Sequence, residues 1–201
     1  MKTLITDANG FLGSAVLKYL LNADHEVQAL LRSESNRDNL AGLELEIMEG
    51  DLCDSASLKK AVNSCDYLFH VAADYRLWTP NPESMYQTNV EGTHLLLQYT
   101  GDAGVEKIVY TISVATLDIH VDRTPADEDS PACLDDMIGH YKRSKYLAEE
   151  EVHNLIAAKQ LPATIVNPST PIGPRDIKPT PTGSIIVDCL AGKYQPMSIP
   201  A

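Results

Sequence analysis

Thr3-Leu4-Ile5-Thr6-Asp7-Ala8-Asn9-Gly10-Phe11-Leu12-Gly13 is the stretch that decides how this chain folds. Thr3 to Thr6 reads as a short buried strand. Phe11 to Leu21 carries apolar residues at helical spacing, with Leu12, Val16, Leu17, Leu20 and Leu21 as the stripe. Between them, Gly10 and Gly13 stand where a tight turn lets backbone approach a diphosphate and lets the helix pack closely on the strand. Such a turn aims helix N–H groups at an anion, although a lone glycine pair also suits an ordinary strand-to-helix connection. Asp7 occupies the slot in which the GxxGxxG dinucleotide fingerprint has its first glycine. Its Cβ is poorly tolerated at positive φ and its carboxylate repels phosphate. Weakened dinucleotide binding follows unless the side chain caps the helix or faces solvent.

Outward from this turn, strand-like and helix-like segments alternate with short connections. The strands are expected at Val27 to Leu31, Leu43 to Met48, Tyr67 to Ala72, Lys107 to Ser113 and Ala163 to Val166. The helices are expected at Ser55 to Val62, Glu83 to Tyr99, Ile138 to Ala158 and Gly183 to Leu190. Alternation of this kind predicts an α/β fold, a doubly wound parallel sheet covered on both faces, with ligands at the carboxyl ends of the strands. The 201 residues, 44% hydrophobic and 22% charged, suit one substantial core, read as one nucleotide-binding domain over residues 1–201. The chain shows no signal peptide, bilayer-spanning run or repeat, and a cytoplasmic location is expected. A net charge of −12 disfavours nucleic acid and anionic membranes as partners. Cys53, Cys65, Cys133 and Cys189 are scattered without a CxxC pair, so no metal site or disulfide framework is expected, and they read as reduced, mostly buried thiols.

The chemistry is carried by Tyr141 and Lys145, four positions apart on a predicted helix, and by Ser113 near the end of an apolar run. The spacing puts tyrosine and lysine on one helical face, where an ammonium would draw the phenol pKa down toward working pH. A phenol so tuned exchanges a proton with a carbinol or carbonyl oxygen, and a serine hydroxyl holds that oxygen. A solvated Tyr-Lys pair is the plain alternative. At the end of the second strand, Leu30-Leu31-Arg32-Ser33 offers no carboxylate for a ribose 2'-hydroxyl and supplies a guanidinium instead, with Arg37 nearby. Forked donors suit a 2'-phosphate, which favours NADP over NAD.

With strand-turn-helix, Ser113 and Tyr141-x-x-x-Lys145 in one order, the sequence resembles the extended short-chain dehydrogenase/reductase family. That family includes sugar-nucleotide epimerases, dehydratases and dihydroflavonol-type reductases. His70-Val71-Ala72-Ala73-Asp74-Tyr75-Arg76-Leu77-Trp78, Thr88-Asn89-Val90-Glu91-Gly92-Thr93, Asp135 to Lys145 and Asn167 to Asp176 are similar to the hopanoid-associated sugar epimerase subgroup. The resemblance implies a Rossmann fold and hydride transfer to or from a sugar or other hydroxyl or ketone substrate. It implies Ser113, Tyr141 and Lys145 as catalytic residues, the tyrosine and lysine also touching cofactor. For the cofactor it further implies Gly10, Phe11, Leu12 and Gly13 at the diphosphate, Asp51 and Leu52 at adenine, Ala72 and Ala73 beside it, and Pro168 at nicotinamide. Substrate contacts are expected from Tyr75, Arg76, Asn167, Ser169 and Thr170, with Trp78 equally suited to burial. Ile112, where the subgroup usually has serine, is expected to alter packing rather than catalysis. Family members continue well past Ala201, so the C-terminal substrate lobe is expected to be largely missing; a chain that is native rather than a fragment would then expose a sheet edge and apolar surface for a partner such as a second copy. A nucleotide-binding or degenerate protein without turnover is the alternative from another class, favoured by Asp7 and the short C-terminus.

Overall fold

The structure is a computed structural model and describes residues 1–63, 65–117, 124–130 and 132–193; Met197 to Ala201, which end the chain, lie outside them. In chain order it contains β1 (Lys2–Thr6), α1 (Phe11–Asn22), β2 (Glu26–Leu31), β3 (Glu46–Glu49), α2 (Ser55–Val62), β4 (Tyr67–His70) and α3 (Pro82–Tyr86). A π-helical turn (Gln87–Glu91) leads into α4 (Gly92–Asp102), followed by β5 (Lys107–Thr111), α5 (Gly139–Lys159), β6 (Ala163–Val166) and α6 (Pro181–Leu190). All strand pairs are parallel, in the order β3-β2-β1-β4-β5-β6. The chain therefore winds first one way from β1 and then the other, leaving a crevice where β1 and β4 part at their carboxyl ends.

Side chains alternate between the two faces of the sheet, and the core divides accordingly. Leu4, Leu30, Leu68, Ile108 and Tyr110 pack on one face with Leu58, Leu96, Leu97, Ala148 and Val152 from α2, α4 and α5. Their strand neighbours Ile5, Ala29 and Leu31 pack on the other face with Leu17 and Leu20 from α1. Ile112 is buried in the first core, away from the face that bears Ser113, as the sequence suggests.

Three strands fall short of the expected run at one end, each for a physical reason, and the helix expected from Glu83 to Tyr99 is interrupted by the π-helical turn. The run from Leu43 pairs only from Glu46, because Leu43 and Leu45 anchor the preceding loop to the α1-side core. β4 stops at His70, because the N–H groups of Val71 and Ala72 donate to Thr6 Oγ1 (3.0 Å each) instead of to a strand. Ser113 leaves β5 to cap a 3-10 turn (Val114–Thr116), its hydroxyl accepting from the Ala115 N–H at 3.1 Å. The thiol expectation fails more plainly: only Cys65 is buried, while Cys53, Cys133 and Cys189 lie on exposed turns and on α6. Ile172, Ile177, Ile185, Val187 and Leu190, in and before α6, are exposed, as is Val166 on the edge strand β6.

Candidate active site

The strand registers align Thr6 with Leu30, His70 with Tyr110 and Thr111 with Val166. Asp7, Arg32, Ala72, Ser113 and Asn167, which follow these positions, therefore emerge along one rim. Beneath the rim lies a polar chain absent from the sequence expectations. Thr6 Oγ1 accepts two backbone N–H bonds, so its own proton goes to His70 Nδ1 at 2.9 Å. That assigns the proton on His70 to Nε2, which donates to Thr93 Oγ1 at 3.0 Å; the Thr93 hydroxyl in turn meets the Tyr110 phenol. Burial, with the nearby Lys145 charge adding to it, lowers His70 to about 3 and keeps the ring neutral. The signal was a histidine and threonines set inside otherwise apolar strands.

Tyr141 sits in the first turn of α5, where its phenol hydrogen bonds to the Ser113 side chain. Ser113 is fixed in turn: its carbonyl accepts from Thr116 Oγ1 (2.9 Å) and from Asn167 Nδ2 (3.3 Å). One helical turn further on, Lys145 is 2% exposed, with Nζ 5.5 Å from the centre of the Tyr110 ring, a cation–π contact. Burial lowers this lysine to about 8, opposed by the Glu149 carboxylate. The Tyr141 phenol, by contrast, is raised above its ordinary value, because burial outweighs the Ser113 hydrogen bond. The expectation of a phenol already acidified by lysine is thus corrected. The shared helical face holds, but the ammonium runs down toward Tyr110 and His70 while the phenol turns to Ser113.

At the other end of the rim, Gly10 begins α1 as an N-cap with no side-chain cap, and a Cβ on Gly13 would collide with the Asp7 carbonyl oxygen. Phe11 and Leu12 open the helix, with Phe11 against Gly173 of the loop before α6. Asp7 takes a left-handed φ of 59°. Beside the turn is a cleft of about 660 Å³ lined by Arg32, Ser33, Glu34, Ser35, Glu49, Gly50, Asp51 and Asp54. Arg37 is turned away from this role by a 2.8 Å ion pair with Glu49. Asp51 serves the cleft and also its own turn, accepting from the Cys53 N–H at 2.8 Å. Leu52 is buried against Gly92. Ala72 and Ala73 are half-buried on the rim, and the Pro168 carbonyl accepts from the Val114 N–H at 3.2 Å.

The expected substrate residues divide. Tyr75 is exposed and close enough to Asp7 to feel its charge, whereas Arg76 is engaged by Asp74. Asn167 is spent on Ser113, and Ser169 and Thr170 are exposed. Trp78, for which burial was the alternative, is 78% exposed. Two further residues organise the site. In the π-helical turn, a geometry frequent at functional sites, Asn89 donates to the Asp74 carbonyl and to Ser144 Oγ, each at 2.9 Å, and accepts from the Asp74 N–H at 2.7 Å. It thereby ties the loop after β4 to α5. In the loop before α6, Arg175 (φ 72°) keeps buried Nε and Nη1 groups without partners among the described residues, and its carbonyl accepts from Asn39, which also binds the Asn9 carbonyl.

Comparison with known proteins agrees with this fold. Residues 3–195 match the model of the NAD dependent epimerase/dehydratase family, and the chain belongs to that family. It is 46% identical to a putative dihydroflavonol 4-reductase of Synechocystis sp. over 91% of the chain and 53% of that protein. It is 33% identical to sterol demethylase protein B of Methylococcus capsulatus over 97% of the chain and 59% of that protein. Among solved structures, gox2253 superposes with a TM-score of 0.91 at 54% identity, covering 96% of this chain and 58% of that one. The dTDP-glucose 4,6-dehydratase DesIV of Streptomyces venezuelae, solved with NAD, superposes with a TM-score of 0.83 at 26% identity over 96% of this chain and 63% of its own. The chain thus spans a little over half the length of the curated relatives it matches.

Proposed function

We propose that this chain carries the cofactor and proton-transfer half of an NADP-linked oxidoreductase or epimerase acting on a sugar or another hydroxyl or ketone compound. The observation that carries the reading is the Ser113–Tyr141 hydroxyl pair over a buried Lys145, on the same sheet rim as the Gly10–Gly13 turn. The residues fit a dinucleotide: the Arg32 cleft suits adenosine, the α1 N-terminus a diphosphate, and Arg175, whose buried Nε and Nη1 have no partner among the described residues, is tied by its carbonyl through Asn39 to the Asn9 carbonyl of the same turn. The Asp7 carboxylate opposes it, and favours the second reading, a nucleotide-binding protein without turnover.

Bound nicotinamide would supply or accept the hydride. The protein's part is proton management. Ser113 holds the substrate oxygen, and Tyr141, protonated at neutral pH, gives its proton to that oxygen as carbon is reduced or recovers it as carbon is oxidised. The phenolate left behind keeps the Ser113 hydroxyl as its partner, and Lys145, one helical turn further along α5, is the residue to hold the nicotinamide ribose. Re-reduction on the other face gives an epimerase; release of the ketone, or reduction of one supplied from outside, gives an oxidoreductase. This reading includes a cytoplasmic setting, in keeping with four free thiols, and a second copy of the chain over the exposed apolar residues of α6.

The NADP preference now rests on Arg32, since Arg37 is held by Glu49 and four carboxylates line the same cleft. Calorimetric titration of Arg32→Ala is expected to show NADPH affinity reduced about tenfold or more, with NADH affinity within about threefold, the loss of one charged hydrogen bond. Equal losses for both nucleotides would remove the preference.

A further inference from the structure

The seat that the fold prepares for a diphosphate already holds a negative charge. Asp7 follows β1 at the point where the strand order reverses, directly before the N-terminus of the twelve-residue helix α1. Its left-handed backbone folds the side chain over the turn, so that a Cβ added to Gly10 would fall on the Asp7 carboxylate group. That is the surface glycine keeps bare for phosphate oxygens to approach. Among the described residues the carboxylate makes no hydrogen bond or ion pair, and it does not cap α1. Arg32 at the end of β2 attracts it only through space. Tyr75 after β4 is close enough to feel its charge, together with those of Asp176, before α6, and Asp74.

We propose that Asp7 is a built-in competitor for the dinucleotide diphosphate, so that cofactor binds the Asp7-protonated protein and is rejected by the ionised one. This rests on the dinucleotide reading above and adds a means of regulation. Burial, only partly offset by Arg32, raises Asp7 to about 7, which puts the change of charge in the physiological range. Within that range Tyr75, itself raised by burial and by Asp7, stays neutral. Above pH 7 each further unit of pH then leaves about a tenth as much competent protein.

The test is calorimetric titration of NADP into the wild-type chain, Asp7→Asn and Asp7→Gly from pH 6 to pH 8.5. The ratio of wild-type to Asp7→Asn dissociation constants cancels the ionisation of the ligand's own 2'-phosphate. That ratio is expected to rise from near one at pH 6 to about tenfold at pH 8. Close to one proton should be taken up per NADP bound at pH 8 by wild type only, read from buffers of different ionisation enthalpy. Asp7→Gly, which also removes the Cβ, should bind at least as tightly as Asp7→Asn. A ratio that stays flat while all three proteins bind NADP overturns the competition and leaves the dinucleotide site standing. Failure of all three to bind NADP at any pH overturns both.

Discussion

Tyr141→Phe is expected to lower hydride exchange between NADPH and a ketone substrate by about 10²–10⁴-fold while leaving NADPH affinity within about twofold. In the proposed mechanism the phenol gives a proton to an oxygen held by Ser113, and phenylalanine keeps the ring, its packing in the first turn of α5 and the position of Lys145. Only the Ser113 hydrogen bond is lost, a cost to stability of about 1 kcal/mol. Stopped-flow oxidation of NADPH, with keto-sugars and dihydroflavonols offered in parallel as candidate substrates, separates the two effects. A variant that binds normally and reduces normally would remove Tyr141 from the chemistry. A Ser113→Ala variant should lose less, since its role is to orient rather than to transfer.

The second large effect concerns Lys145. An ammonium 2% exposed, with an aromatic face and a distant carboxylate for company, is held at a cost to folding. The sign follows from the pKa, which burial lowers from its ordinary 10.5 to about 8 in the folded chain. The penalty is fully present below pH 8, shrinks between 8 and 10.5, and vanishes above. Lys145→Met, close in size and uncharged, is therefore expected to raise the unfolding free energy at pH 7 by about 3 kcal/mol, with the gain disappearing near pH 11. Denaturant unfolding at both pH values measures this. The same variant should lose turnover, the trade expected where a site holds a destabilising group for function. A Lys145→Met protein less stable than wild type at pH 7 would mean that the ammonium is well paired.

The fold was legible because its parallel strands are nearly continuous apolar runs and its helices carry apolar stripes, with turns between them short. What the sequence obscured were places where a side chain replaces backbone pairing: Thr6 ends β4 by taking the Val71 and Ala72 N–H groups, and Ser113 ends β5 by capping a turn. Within the proposed site, residue types and spacing single out Ser113, Tyr141 and Lys145, but not their electrostatics. A four-residue spacing fixes a shared face, whereas the direction each side chain takes depends on what lies beneath, here Tyr110 and a neutral His70. Arg76 and Arg37 looked like free cations because their partners Asp74 and Glu49 are known only from the fold. Asn89 and Arg175 gave no sign beyond lying in stretches similar to a known subgroup, since each acts through tertiary contacts.

The central claim is that one dinucleotide spans the sheet's carboxyl rim from the Arg32 cleft, past Gly10 and Gly13, to Tyr141. Amide-resolved NMR of the isotopically labelled chain titrated with NADP at pH 6 tests it most directly. The account predicts saturable shifts with one common dissociation constant at Gly10, Gly13, Arg32, Asp51, Ala72, Ser113 and Tyr141. Shifts confined to one end of that row, or gathered on another surface, would contradict it.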